Sequence, residues 1–154
     1  MATTQEKIDA LVARLSRALP ELAVEHFPAP PDAYALTHPV GALLAGYAGS
    51  EYDTRVDAVA IVQPRRAKFA VTVVSRQLAG RGGALDALDG VRRALVGFAL
   101  PDGEKLAAAA ERFAGRTDSE WRYAIEFAAD AVIVEEAEPV DGPLLTEVTY
   151  EEKP

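Results

Sequence analysis

The chain has 154 residues, enough for one domain with a core of ordinary size. It carries 24 acidic and 16 basic residues, a formal charge of −8, which argues against general nucleic-acid affinity because that rests on neutralising phosphates with Lys and Arg. With no cysteine, it has no disulfide framework, no thiolate nucleophile and no zinc–thiolate site.

The hydrophobic fraction of 49% is that of a folded globular chain. No apolar run is long enough to cross a bilayer. The start, Met-Ala-Thr-Thr-Gln-Glu-Lys, lacks the basic and apolar regions of a secretory signal, so a cytoplasmic origin without membrane contact is expected.

Thr3-Thr4-Gln5-Glu6 forms a capping box, with Thr3 as N-cap and Glu6 reaching back. Ile8, Leu11, Val12, Leu15 and Leu19 then recur at spacings of three and four, which predicts an amphipathic helix with Lys7, Asp9, Arg14 and Arg17 off the stripe, ended by Pro20. Glu21 to Phe27 alternates and predicts a short strand. Pro28-Ala29-Pro30-Pro31-Asp32 reads as a connection, with a turn or helical piece around Asp32 to Leu36. Val40 to Ala48, nearly all apolar, predicts a central strand buried on both faces.

Gly49 to Thr54 reads as a polar loop. Val56–Val62 and Ala67–Arg76 are expected to form a β-hairpin around a Gln63-Pro64-Arg65-Arg66 turn, with Phe69, Val71 and Val73 on one face. Gly80 to Gly83 is a tight turn into a second helix from Ala84 to Phe98, with Leu85, Leu88, Val91, Leu95 and Phe98 as its stripe. Pro101-Asp102-Gly103 is a turn. Glu104 to Ala114 is helix by propensity, although Gly115 to Ser119 looks like a hairpin loop feeding a strand. Ser119 to Val134 alternates cleanly: Trp121, Tyr123, Ile125 and Phe127 on a buried face, Glu120, Arg122, Glu126 and Asp130 on a wet one. Beyond Glu135 the chain is acidic and proline-containing, and Leu144 to Tyr150 suits a short added strand, in this sheet or on a neighbouring subunit.

The resulting expectation is an α+β fold: a mostly antiparallel sheet of five or six strands with two amphipathic helices packed on one face. Residues 1–134 form the domain and 135–154 an acidic C-terminal extension.

Little in the sequence points to chemistry. His26 and His38 lie near the proline-rich connection without a second histidine at metal spacing, so a structural or surface role is favoured for both. Gly80-Arg81-Gly82-Gly83 before a helix is a candidate phosphate cradle, but it lacks the P-loop lysine and the dinucleotide spacing, and a plain turn is favoured. Ser16, Ser50, Ser75 and Ser119 sit in no nucleophile-elbow context. The Arg65-Arg66 pair, basic in an acidic chain, is either a solvated turn or a dock for an acidic partner.

Several segments together resemble the Mu-like phage tail-terminator family. They are His38 to Ser50, Gln63 to Arg66 with Phe69 to Val73, Gly80 to Asp89, Gly103 to Leu106 with Glu111-Arg112-Phe113, and Trp121 to Phe127. The resemblance spans Met1 to Val134. It implies a structural subunit with no reaction and no cofactor, a homo-hexameric ring capping the head-proximal end of a tail tube. The implied partners are further copies, the tail tube protein, and sheath or neck and connector proteins, in a virion or phage-tail-like particle assembled in the host cytoplasm. It also implies that Lys105 to Phe113 is a strand paired with Ser119 to Val134, against its helix propensity. DNA would pass an acidic lumen without specific binding.

The residues expected at partner interfaces are Ser50, Glu51, Tyr52 and Asp53 with Arg65 and Arg66 for tube docking, and Glu120, Arg122 and Glu126 on the polar strand face. The competing readings are a head–tail connector or neck ring and a small enzyme or phosphate-ligand binder using Gly80 to Gly83.

Overall fold

Thr3 opens the first helix, α1 (Thr4–Ala18), by accepting from the Glu6 amide while the Glu6 carboxylate accepts from the Thr3 amide. In this computed structural model, residues 1–28, 34–54 and 59–136 are described. Leu11, Leu15 and Leu19 are buried as the stripe requires, with Ile8 and Val12 packed alongside. Lys7, expected off the stripe, is buried as well. Its ammonium reaches Glu104 Oε1 at 3.2 Å and Asp102 Oδ2 at 3.4 Å, so the long apolar stem packs inward while the charge is met by the 101–104 turn.

Among the described residues five strands follow: β1 (Ala23–His26), β2 (Gly41–Tyr52), β3 (Val62–Ser75), β4 (Ala107–Arg116) and β5 (Trp121–Val134), with α2 (Ala84–Leu95) between β3 and β4. They make one mixed sheet in the order β1-β2-β3-β5-β4. β1 runs parallel to β2, and the other three pairings are antiparallel. The expected sixth strand at Leu144–Tyr150 lies outside the described residues, as does all of the acidic stretch except Glu135 and Glu136.

One apolar cluster collects Leu43 and Ala45 of β2, Phe69, Val71 and Val73 of β3, and Ile125, Phe127 and Ala129 of β5. Leu11 and Leu15 of α1 and Leu88, Val91 and Leu95 of α2 join it. The odd positions of β3 and β5 therefore define the core side of the sheet. Phe69 pairs with Phe127 across the β3–β5 ladder, and both rings are fully buried, which makes that rung the centre of the core.

Several sequence expectations change. The hairpin of Val56–Val62 with Ala67–Arg76 does not form: residues 55–58 lie outside the described residues, and Gln63 to Arg66 stand within β3, paired with β5. Proline is tolerated there because the backbone of Pro64 faces the end of β2. Its carbonyl accepts from the Asp53 amide, and the donor it lacks is replaced by Gln63 Nε2, which donates to the Asp53 carbonyl at 2.9 Å. Gly49 to Tyr52 extend β2 rather than forming a loop, after an irregularity between Tyr47 and Gly49.

α2 is rotated and shortened. Leu85 is exposed and the buried set is Ala84, Ala87, Leu88, Gly90, Val91, Ala94 and Leu95. The small residues allow a close approach to α1: a Cβ on Gly90 would lie 2.5 Å from Leu19 Cδ2. The helix stops at Leu95, and Phe98 packs beside the core under the Arg14 guanidinium. Residues 107–116 form strand β4 as the resemblance implied, because β5 offers a ladder and the Phe113 ring meets Trp121 and Tyr123.

The even face of β5 is not uniformly wet. Glu120 is buried and paired with Arg122, whose guanidinium also donates to the Tyr34 carbonyl. Arg76 donates to the carbonyls of Leu36 and His38. The chain returning from β1 to β2 is thus tied down at this end of the sheet by two arginines. Of the turn or helical piece expected at Asp32 to Leu36, residues 34–36 have no regular structure, and 32–33 lie outside the described residues.

Candidate assembly interface

The three long strands continue past the core. Ala45 is the last buried residue of β2, Ala67 the first of β3 and Ala129 the last of β5. Beyond them Gly49–Tyr52, Val62–Arg66 and Asp130–Val134 stay paired without a buried residue among them. This end of the sheet holds the predicted docking residues Ser50, Glu51, Tyr52, Asp53, Arg65 and Arg66.

Strand alternation splits them between the two faces. On the core side, Arg65 Nε donates to Ser50 Oγ at 3.0 Å and Nη2 to Tyr47 OH at 3.3 Å, and the two hydroxyls lie 2.6 Å apart. The hydrogen bond with Ser50 and then that from Arg65 hold the Tyr47 hydroxyl below its usual pKa. On the other side, Arg66 pairs with both oxygens of Asp130 across the β3–β5 rung, at 2.9 and 3.3 Å. Lys68 meets Glu51 at 2.7 Å across β2–β3. These hydrogen bonds hold the Asp130 and Glu51 carboxyls below the ordinary carboxylate range and raise the Arg66 guanidinium.

Glu51, Asp53, Pro64, Arg65, Arg66 and Asp130 line an open cleft of about 480 Å³. Around it Tyr52, Val132 and Val134 are each more than half exposed. The end is therefore a three-stranded ribbon that carries paired charges and exposed apolar side chains. Asp130, Lys68 and Tyr47 were not among the predicted docking residues. The signal that places Asp130 is its even position on β5, opposite an arginine at an even position of β3.

The remaining predicted residues lie elsewhere. Glu120 and Arg122 hold the Tyr34 segment at the other end of β5, and Glu126 is half-buried on the middle of its even face. The two histidines are engaged locally: His26 Nε2 lies 2.7 Å from Asp9 Oδ1, and His38 Nδ1 accepts from the Val40 and Gly41 amides. At the Gly80 to Gly83 turn, the Gly82 amide donates to Asp86 Oδ2, so a carboxylate of the chain itself occupies the place a bound anion would take. Among the described residues, no three His, Asp or Glu side chains converge as a metal site would require.

Among the described residues, a five-stranded mixed sheet with two helices, extended past its core by three paired strands, makes an α+β domain. The chain belongs to the Gp37 protein family, whose model matches residues 11–152. Its fold is similar to that of a chain in the virion of the native gene transfer agent particle, with a TM-score of 0.54 at 16% identity, over 88% of this chain and 100% of that chain. No curated protein matches it.

Proposed function

We propose that the chain is a non-enzymatic structural subunit of a phage-like particle, and within it a tail terminator. It resides in the virion or tail-like particle, joins copies of itself in a ring at the head-proximal end of the tail tube, and stops tube growth. The observation that carries this reading is the likeness of its fold, over the whole of that chain's length, to a component of the gene transfer agent virion. Family membership and the ordered resemblance to Mu-like terminators support the finer role.

In this reading both helices lie on the core side, the ribbon of β2, β3 and β5 docks the tube, and lateral edges of the sheet meet neighbouring copies. A closed ring needs two different patches per subunit, and a single sheet with two unlike edges supplies them. The net charge of −8 suits a lumen through which DNA slides without adhering.

The test is removal of the chain from its producing particle, followed by tail measurement in electron micrographs. Overlong or irregular tubes are expected. Tubes of normal length with unattached heads would point to a connector, and normal complete particles would refute a structural role.

A further inference from the structure

Arg65 differs from the other cations at its end of the sheet. Arg66 is matched by Asp130 and Lys68 by Glu51, whereas among the described residues Arg65 meets no carboxylate. Neutral groups hold its guanidinium instead, Nε donating to Ser50 Oγ and Nη2 to Tyr47 OH. A guanidinium has five N–H groups and accepts nothing. The two hydroxyls lie 2.6 Å apart, so one donates to the other. That leaves three N–H groups and one O–H together, beside a positive charge, with no acceptor of the described chain on them. A carboxylate supplies the acceptors and the charge such a cluster lacks.

The cluster is built in advance of any partner. Ser50 and Arg65 stand on the paired strands β2 and β3, and the Tyr47 ring packs on the fully buried Phe69 with centroids 5.7 Å apart. Tyr52, opposite Arg65 on the same rung, is 53% exposed and flanks the site. Tyrosine and arginine are the side chains that most often carry interface energy, and fixing them beforehand lowers the cost of contact. We propose that Arg65, with Tyr47 and Ser50, seats a carboxylate side chain of the tail tube, its guanidinium fork taking the two oxygens.

Two observations choose this occupant. Glu51, Asp53 and Asp130 line the cleft that Arg65 also borders, so nucleic acid would bring its further phosphates against carboxylates, while one acidic side chain brings a single charge. Arg65 lies on β3, the middle strand of the order β1-β2-β3-β5-β4, away from both edges at which neighbouring copies are placed above.

This inference rests on the terminator reading, and complementation separates the two. Particles are produced without the chain, with the parent, and with Arg65→Gln, Arg65→Lys or Arg65→Glu. Tail lengths and the chain's content in purified particles are measured, alongside the Tm and solution size of each variant. Arg65→Gln and Arg65→Glu are expected to keep the parent's Tm and size, to enter particles about tenfold less or worse, and to leave overlong tubes. Arg65→Lys, which keeps the charge and loses the fork, is expected to fall between them and the parent. Suppressors of Arg65→Glu are expected as acidic-to-basic changes in the tube protein; suppressors within this chain would overturn the tube as the source. Normal capping by Arg65→Glu would overturn the seat and leave the terminator reading intact. A fall in Tm that accounts for the lost incorporation would make Arg65 a folding residue and overturn it too, as would DNA retained by the parent and released by Arg65→Gln. Normal tubes in the absence of the chain would remove both readings.

Discussion

Replacing Gly83 by alanine tests whether Gly80–Gly83 is a turn fixed by its own backbone. Gly83 is the N-cap of α2 with a φ of −75°, a value alanine adopts freely, so backbone strain is not at issue. Space is: a Cβ there would lie 2.7 Å from the Ala79 carbonyl oxygen and 2.8 Å from that of Leu78. Both obstacles are backbone, and the turn is tied at each step. Gly83 donates to the Gly80 carbonyl, Ala84 to Gln77 and Leu85 to Leu78. Relief requires a shift of several tenths of an ångström that loosens at least one of those bonds. An overpacked site costs about 1–3 kcal/mol, and a buried amide left unpaired costs about 1–3 kcal/mol more. The sum expected for Gly83→Ala is about 2–6 kcal/mol, which at about 2–4 °C per kcal/mol lowers Tm by roughly 4–24 °C. Thermal melts followed by circular dichroism and by Trp121 fluorescence read it. Gly80→Ala is the control, since its φ of +84° opposes alanine but nothing lies within 4 Å, and a loss of about 1–2 kcal/mol is expected. A Gly83→Ala melt within a degree of the parent would refute the steric account.

Phe127→Ala empties the central β3–β5 rung beside the fully buried Phe69 and should cost about 3–5 kcal/mol, read as a lower urea midpoint at unchanged slope. Arg65→Ala removes a hydrogen bond that favours the Tyr47 phenolate, so Tyr47 should ionise at higher pH, seen as an upward shift in part of the 295 nm absorbance titration. Asp130 is held below its unfolded pKa by Arg66, so the pair's contribution is complete above the usual carboxylate range and fades as pH falls through the folded value. Asp130→Asn should therefore be less stable than the parent at pH 7 and equal to it in strong acid; a gap that persists at pH 2 would refute the pairing.

Local signals in the chain were legible where a single rule governed them. The Thr3–Glu6 box, the Leu11–Leu15 stripe and the odd positions of β5 each follow from one periodicity, and each holds. The errors come from positions where a tertiary partner decides. Gln63-Pro64-Arg65-Arg66 looks like a turn because proline cannot donate to a ladder, and the remedy, a glutamine amide standing in for the missing N–H, depends on where β2 ends. Ala107 to Ala110 have the composition of a helix, and only the free edge of β5 makes them a strand. Lys7 looks like a solvated charge until the 101–104 turn brings two carboxylates to it. Within the candidate interface, Ser50 to Asp53 and Arg65-Arg66 were found by exposure and charge. Their partners Tyr47, Lys68 and Asp130 were missed because register, not composition, pairs them.

The ribbon beyond Ala67 and Ala129 poses a physical question that a subunit reading answers. A sheet segment is normally stabilised by what one of its faces buries. Here three strands continue with no buried side chain, held by ladder bonds and by ion pairs whose members are largely exposed, and such pairs add little in water. Val132 and Val134 meanwhile remain open to solvent on the face that carries these pairs. Burying them against a partner supplies the missing apolar contact, at about 25 cal/mol per Å² of area removed from water. It also withdraws Arg66–Asp130 and Lys68–Glu51 from solvent with their charges already matched. The pairs that contribute least to the isolated chain are thus the ones that lower the desolvation cost of bringing this face into an interface.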